Sequence, residues 1–412
     1  MTHESITTLP ATRLGRAWAA YIAPFRGLPR EIWYLSIVML INRSGAMVLP
    51  FLTLYVNRVL GYSAEWAGSM IAWFGLGSCL GAFLGGWLVG RVGPLRVQAV
   101  SFTCGAVGFL VLSQLTSYVW FSAVLFLMSV ASEAFRPANA AAIADFSPPE
   151  THSRAYALNR LAINLGFSIG PPLGGWISSF SYLWLFLIDA ATCFLAAVAV
   201  LLLFRGRSGA VRHESVATAE QGARRSPWRD RWFLAFLGLT LLTYMIFFQL
   251  VSTYSLYLSD EYQLANWEIG MLLGLNTIGV VCFEMLLVNL LSDISKLWLI
   301  AWGGFLMCVG MSALVLGQGF WFAAAAVLIW TLGEMLAMPQ AMAFVAAYAG
   351  PADRGKYMGA YTTAVSGSFV LASLFGGWCY GIDHHLVWYV GMVVGVLSLG
   401  GFLGLARAYR RV

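Results

Sequence analysis

The stretch Asn164–Trp176 reads NLGFSIGPPLGGW. Four glycines and two adjacent prolines sit inside what is otherwise one long apolar helical segment. In a helix interior Gly costs about 1 kcal/mol relative to Ala, and Pro roughly 3. Gly166, Gly170 and Gly174 recur every four residues, which places them on one helix face. Small residues at that spacing let two membrane helices approach closely. Pro171 and Pro172 bend the segment, and neighbouring helices re-satisfy the carbonyls they free. The pattern therefore predicts a thin, kinked packing surface. The glycines fit plain tight packing and a sliding or sealing face equally well.

The rest of the chain says which kind of helix this is. Of 412 residues, 60% are hydrophobic and only 10% charged, and the mean hydropathy is +0.76. A soluble domain averages about 25% charged residues, so the chain is expected to be an integral membrane protein. Twelve apolar stretches reach or approach the roughly 20 residues that span a bilayer. They cover 33–57, 65–90, 97–115, 118–146, 155–178, 181–204, 232–258, 266–292, 297–316, 319–347, 357–381 and 386–407. Numbered one to twelve, these spans give an all-α membrane fold. The segments are an N-terminal 1–32, a first six-helix half 33–204, a linker 205–231, a second half 232–407 and a tail 408–412.

The net charge of +6 is distributed in a way that excludes a nucleic-acid partner. Nineteen of the 24 Lys and Arg residues lie in the N-terminal segment, the even-numbered connections, the linker and the C-terminal tail. The odd-numbered connections hold only Arg58. Basic connections stay in the cytoplasm, so both termini and the linker are expected inside. All six cysteines fall within spans and none has CxxC spacing, and the five histidines form no HExxH. Neither a disulfide framework nor a metal site is indicated. No long apolar run precedes Arg30, so no cleavable signal is expected. With no phosphate-binding loop or catalytic motif, no enzyme activity and no cofactor are expected. Energy must then come from an ion gradient.

An internal repeat appears at an offset of 202 residues. Pro137 maps to Pro339, Pro149 to Pro351, Gly174-Gly175-Trp176 to Gly376-Gly377-Trp378, Leu54-Tyr55 to Leu256-Tyr257, and Gly68 to Gly270. A repeat of six spans gives two halves of the same membrane orientation. Parallel halves with a site between them are the architecture of a rocking secondary transporter.

On these residues the chain resembles the major facilitator superfamily over essentially its whole length. Gly166-xxx-Gly170-Pro171-xx-Gly174-Gly175 is similar to the span-five pattern GxxxGPxxGG of the drug:proton antiporter branch. The connection after span two, GGWLVGRVG, resembles the signature GxLaDRxGR through Gly86, Leu88, Arg91 and Gly93, with Gly90 where the family has Asp. Asp293 keeps an acid in the corresponding connection of the second half. GEMLAMP at Gly333–Pro339, followed by RGKYMGAY, also resembles this branch. Proton-coupled oligopeptide transporters carry a similar acid, but their span-one ExxER motif is absent here. The resemblance implies a multi-pass protein of a bacterial-type cytoplasmic (inner) membrane, with spans one, four, seven and ten around a central cavity. Twelve helices that form a complete pore imply a monomer.

Charges inside the membrane usually mark ion or substrate paths. Arg43, Glu133 and Arg136 lie near mid-membrane, and the last two are spaced i,i+3 on one face. They are expected to form either a cavity network or an ion pair pinning span one to span four. Glu334 lies at similar depth in span ten, and within the spans of the second half the sole Lys or Arg is Arg407, the last residue of span twelve. A carboxyl desolvated without a counter-charge suits a proton carrier that must load and unload. Glu284 is a second proton-site candidate, with Asn276 eight residues earlier on roughly the same face. Asp189 is expected to cap or gate at the outer end of span six, and Arg160 to reach lipid headgroups. Gln249, Tyr244, Phe248, Tyr254 and Trp330 are candidates for aromatic and hydrogen-bonding surface around an organic ligand, each weighed against simple packing.

The leading expectation is a proton-coupled antiporter exporting amphipathic organic molecules. Its partners are a small-molecule substrate, protons and the lipid bilayer. The alternative is a proton symporter importing a peptide, organic acid or other anionic nutrient, with Arg43 and Arg136 on its carboxylate. A sensor would carry a further soluble domain, and a membrane transferase would carry Asp-rich metal motifs; the sequence shows neither.

Overall fold

A computed structural model describes residues 25–205, 226–291 and 293–409, and every regular element among them is helical. Most of the linker, the first 24 residues and the last three lie outside the described residues. Eleven helical stretches are long and apolar enough to cross a membrane. The remaining expected one, span five, is the 27-residue helix His152–Ser178. At 1.5 Å per residue it is about 40 Å long. It is less apolar than the others because it carries the glycine–proline stretch together with Arg154, Asn159, Arg160 and Asn164.

Where the lipid lies is legible from the surface. Trp66, Trp120, Trp184, Trp267 and Trp321 are exposed at the starts of the even-numbered spans, and Trp87, Trp228 and Trp298 are exposed at the other end. Between them run exposed residues such as Phe83, Leu127, Phe194 and Val396. An apolar surface flanked by two tryptophan belts is what a bilayer covers.

Two spans are interrupted at matching places in the repeat. Span one is Arg30–Ser44 and then Val48–Arg58, and span seven is Arg231–Phe247, a tighter turn over Phe248–Val251, and then Tyr254–Asp260. At the first break the backbone N–H groups of Met47 and Val48 donate to the Asp189 carboxylate at 3.0 and 3.2 Å. Unpaired N–H groups of a helix start are thereby satisfied inside the membrane. Span four is likewise divided, as Tyr118–Glu133 and Phe135–Phe146.

The stretch that opened the sequence reading has two working faces. Gly166, Gly170 and Gly174 receive span one. A Cβ on Gly166 would lie 3.0 Å from the Arg43 carbonyl carbon, one on Gly170 would lie 3.2 Å from the Arg43 oxygen, and one on Gly174 would lie 2.9 Å from Met47 Cβ. The other face, Pro171, Pro172 and Gly175, packs on Gly270 and Gly274 of span eight. In the repeat-equivalent place, Gly68 of span two packs on Gly377 of span eleven. Spans five and eight, and two and eleven, thus join the halves at the end that bears the odd-numbered connections. Ser255 Oγ donating to the Pro50 oxygen at 2.9 Å, Asn266 donating to Tyr182 at 2.9 Å and an Arg58–Asp260 ion pair close the same end.

Candidate functional site

Spans one to six enclose a cavity of about 330 Å³, completed by residues of spans seven and eleven. Its polar lining brings together Arg43, Glu133, Arg136 and Asp189, and its apolar lining includes Phe102, Phe135, Phe167, Phe248 and Phe369. Arg43 stands at the end of the first half of span one, where the break at Gly45 begins. Its guanidinium carbon lies 4.9 Å from the Phe135 ring centroid and 5.5 Å from that of Phe167. A cation on aromatic faces gains electrostatic attraction from the ring quadrupoles. The Arg43 Nε is buried and has no hydrogen-bond partner. The acids beside it have partners of their own. Glu133 pairs with Arg136 one turn on, and Asp189 receives the two backbone donors of the span-one break.

Glu334 lies apart from this cavity, in the second half. Asn276 Nδ2 of span eight donates to Glu334 Oε2 at 2.8 Å and to Thr331 Oγ1 at 3.0 Å. Asn276 and Thr331 are buried. Among the described residues no Lys, Arg or His comes within ion-pair distance of Glu334. The neighbouring acid behaves differently. Glu284, two turns along span eight from Asn276, pairs with Arg160 of span five. Arg160 is half-exposed, with 53% of its side chain accessible, whereas Glu284 is buried. The expected lipid-facing arginine is therefore a cross-half ion-pair partner. Matching depths of an arginine in span five and an acid in span eight were the signal for it, because those two spans pack together.

The aromatic and amide candidates separate from the cavity. Span seven turns tightly over Phe248–Val251, and this presents Phe248 and Val251 to the cavity and swings Gln249 away. Gln249 is fully buried, donates to the Met245 and Ala372 oxygens at 3.1 and 3.0 Å, and accepts from Thr253 at 2.8 Å. Tyr254 and Trp330 are fully buried in the main apolar core, with Trp330 edge-on to Phe247 at 5.9 Å. Tyr244 is buried with its hydroxyl 3.2 Å from that of Tyr361. For these four the packing alternative describes the observed surroundings.

Of the motif residues, Gly93 takes φ +86°, in the left-handed region that favours glycine, where span two turns into span three at Pro94. Arg91 stacks on Trp87, its guanidinium carbon 3.5 Å from the ring centroid. Gly86 and Gly90 have open space where a Cβ would stand, and Asp293 is exposed in the connection after span eight. Sequence reasoning missed one further cluster, at the closed end. There Tyr380 donates to Asp260 at 2.7 Å and stacks on His384 at 4.2 Å, and His384 pairs with Glu261 at 2.6 Å.

An all-helical, multi-span arrangement of two repeat-related halves, with charges held in an interior cavity, is the arrangement of multi-pass membrane transporters. The family model described as the Major Facilitator Superfamily matches residues 34–339 and 236–412, and the chain belongs to that superfamily. It is 26% identical to the MFS-type transporter YqjV of Bacillus subtilis (strain 168), over 92% of this chain and 94% of that protein. It is 23% identical to a Na(+), Li(+), K(+)/H(+) antiporter of Planococcus maritimus, over 77% and 82% of the two chains. It is also 23% identical to the quinolone resistance protein NorA of Staphylococcus aureus, over 70% and 74%. The solved structure of the nucleoside transporter NupG superposes with a TM-score of 0.76 at 14% identity, covering 91% of this chain and 99% of that one, a likeness of fold.

Proposed function

We propose that this chain is a proton-coupled antiporter that exports amphipathic organic molecules by alternating access, with Glu334 as its proton carrier. The observation that carries the reading is the state of Glu334: a carboxyl within a membrane span that holds an amide donor and, among the described residues, no cation at ion-pair distance. A charged carboxylate in an apolar surround is costly, and protonation removes the cost. Asn276 gives the ionised form a donor, so both protonation states can be populated during a cycle. The relatedness to a cation/proton antiporter and to a drug-resistance protein supports the direction of coupling.

In this reading the halves 33–204 and 232–407 rock as two bodies, in a monomer of the cytoplasmic membrane with both termini inside. Asn276, which touches Glu334, shares span eight with Gly270, which touches span five, and with Glu284, which pairs with Arg160. A change at the carrier thus reaches the contact between the halves along one helix. Glu284, whose arginine partner lies in the other half, releases that partner as the halves move, while the Glu133–Arg136 pair travels within one half. Protons and substrate bias opposite conformations through their different affinities for the two states.

The reading is tested with purified protein in liposomes holding a pH-sensitive dye. A panel of lipophilic cations, neutral amphiphiles, dipeptides and organic acids is applied without an imposed gradient. The expected result is proton movement opposite to that of an amphipathic substrate. A compound that moves together with protons makes the protein an importer and overturns the reading.

A further inference from the structure

We infer that the Arg43 cavity selects aromatic amphiphiles that carry a carboxylate. Arg43 holds the anionic group, and the phenylalanines around it hold the aromatic body. This rests on reading the cavity as the substrate site, and it is independent of transport direction and of proton coupling.

Three observations lead there. The first is charge. The cavity holds two cations, Arg43 and Arg136, and two acids, Glu133 and Asp189. Arg136 is committed to Glu133, and Asp189 to the backbone donors of Met47 and Val48. Among the described residues Arg43 then has no acid in ion-pair contact, and its buried Nε has no hydrogen-bond acceptor; Glu133 Oε2, paired with Arg136, is likewise buried without a hydrogen bond. Arg43 lines the cavity and is only partly buried, so its guanidinium is open there to a ligand carboxylate.

The second is geometry. Phe135 and Phe167 flank the Arg43 guanidinium. A guanidinium held on ring faces keeps its edge free for in-plane donors, the arrangement that bonds a carboxylate bidentately. The third is the rest of the lining. Phe102, Phe248 and Phe369 also line the cavity, and Phe248 and Phe369 pack edge-on at 5.3 Å. A flat aromatic body stacks on such rings, whereas a sugar or a short hydrophilic acid would leave them against polar groups. A lipophilic cation would meet Arg43 at close range, which disfavours it at this end of the cavity.

The test is binding to purified wild-type protein in detergent, read by calorimetry, with 2-naphthoate, 2-naphthamide and 2-naphthylmethylammonium as size-matched probes. The expected order is naphthoate tightest, naphthamide about tenfold weaker, and the ammonium weaker still. Arg43→Gln brings naphthoate and naphthamide to within about twofold of each other. Should Arg43→Gln fail to fold, Arg43→Lys serves. It keeps a charge without the planar fork and is expected to weaken naphthoate about threefold or more while sparing naphthamide. Naphthoate binding weaker than millimolar, equal affinities for the three probes in the wild type, or a naphthoate preference that survives in Arg43→Gln would overturn the inference. Equal affinities would leave the antiport reading standing. Proton symport with naphthoate would instead remove that reading and keep the site.

Discussion

Gly175 and Gly270 meet backbone to backbone: a Cβ on Gly175 would lie 3.1 Å from the Gly270 Cα. The 202-residue repeat carries the same contact to Gly377 and Gly68, where a Cβ on Gly68 would lie 3.2 Å from the Gly377 Cα. Two equivalent glycine seams therefore join the halves at one end of the bundle. A side chain in either seam must push the halves apart, because the opposing atoms are backbone. Gly175→Leu is expected to lower transport more than tenfold and to raise labelling of cysteines placed at the odd-numbered connections. Gly86→Leu, which enters open space, is expected to leave that labelling unchanged. Unaltered labelling in Gly175→Leu would show that the seam does not hold this end shut.

The ion pair of Arg160 with Glu284 crosses between the halves in spans five and eight. Because Arg160 is half-exposed, the pair is worth at most about 1 kcal/mol, roughly a fivefold change in an equilibrium. Arg160→Glu and Glu284→Arg are each expected to reduce uptake into inverted vesicles about tenfold. The double exchange is expected to recover at least a third of wild-type rate. Failure of the double variant to exceed either single one would rule out the pair as the coupled element.

Asp189 holds the start of the second half of span one by accepting from two backbone N–H groups. An amide side chain can accept at one oxygen only, which leaves one buried donor without a partner at about 1–3 kcal/mol. Asp189→Asn is expected to lower the thermal unfolding midpoint in detergent, and Asp189→Ala to lower it further. Equal midpoints for all three proteins would mean that the break in span one is held by other contacts.

Much of this arrangement was legible in the sequence. Hydropathy placed the spans, and the repeat paired Gly68 with Gly270 and Gly175 with Gly377 before any contact was visible. Charge inside the membrane flagged Arg43, Glu133, Arg136, Glu284 and Glu334. What periodicity could not supply was partner choice. Arg160 and Glu284 are 124 residues apart, and only the packing of span five on span eight joins them. Gln249 read as a ligand group because it is polar at mid-membrane, but the tight turn at Phe248–Val251 rotates it into the seam with span eleven. Arg43 and Glu334 read at similar depth, and the structure places Arg43 on the cavity lining and Glu334 away from it, one in each half. Local backbone breaks and helix pairing fix such details, and both depend on tertiary contacts.

The carrier role of Glu334 is tested most directly by comparing two modes of transport in liposomes for wild type and Glu334→Gln. Glutamine keeps the size of the side chain and can still meet Asn276, but it cannot take up or release a proton. Substrate-for-substrate exchange needs no net proton movement, whereas uphill transport driven by a pH gradient does. Glu334→Gln is predicted to retain exchange at close to the wild-type rate and to lose gradient-driven accumulation altogether. Accumulation that survives in Glu334→Gln would contradict the assignment of Glu334 as the proton carrier.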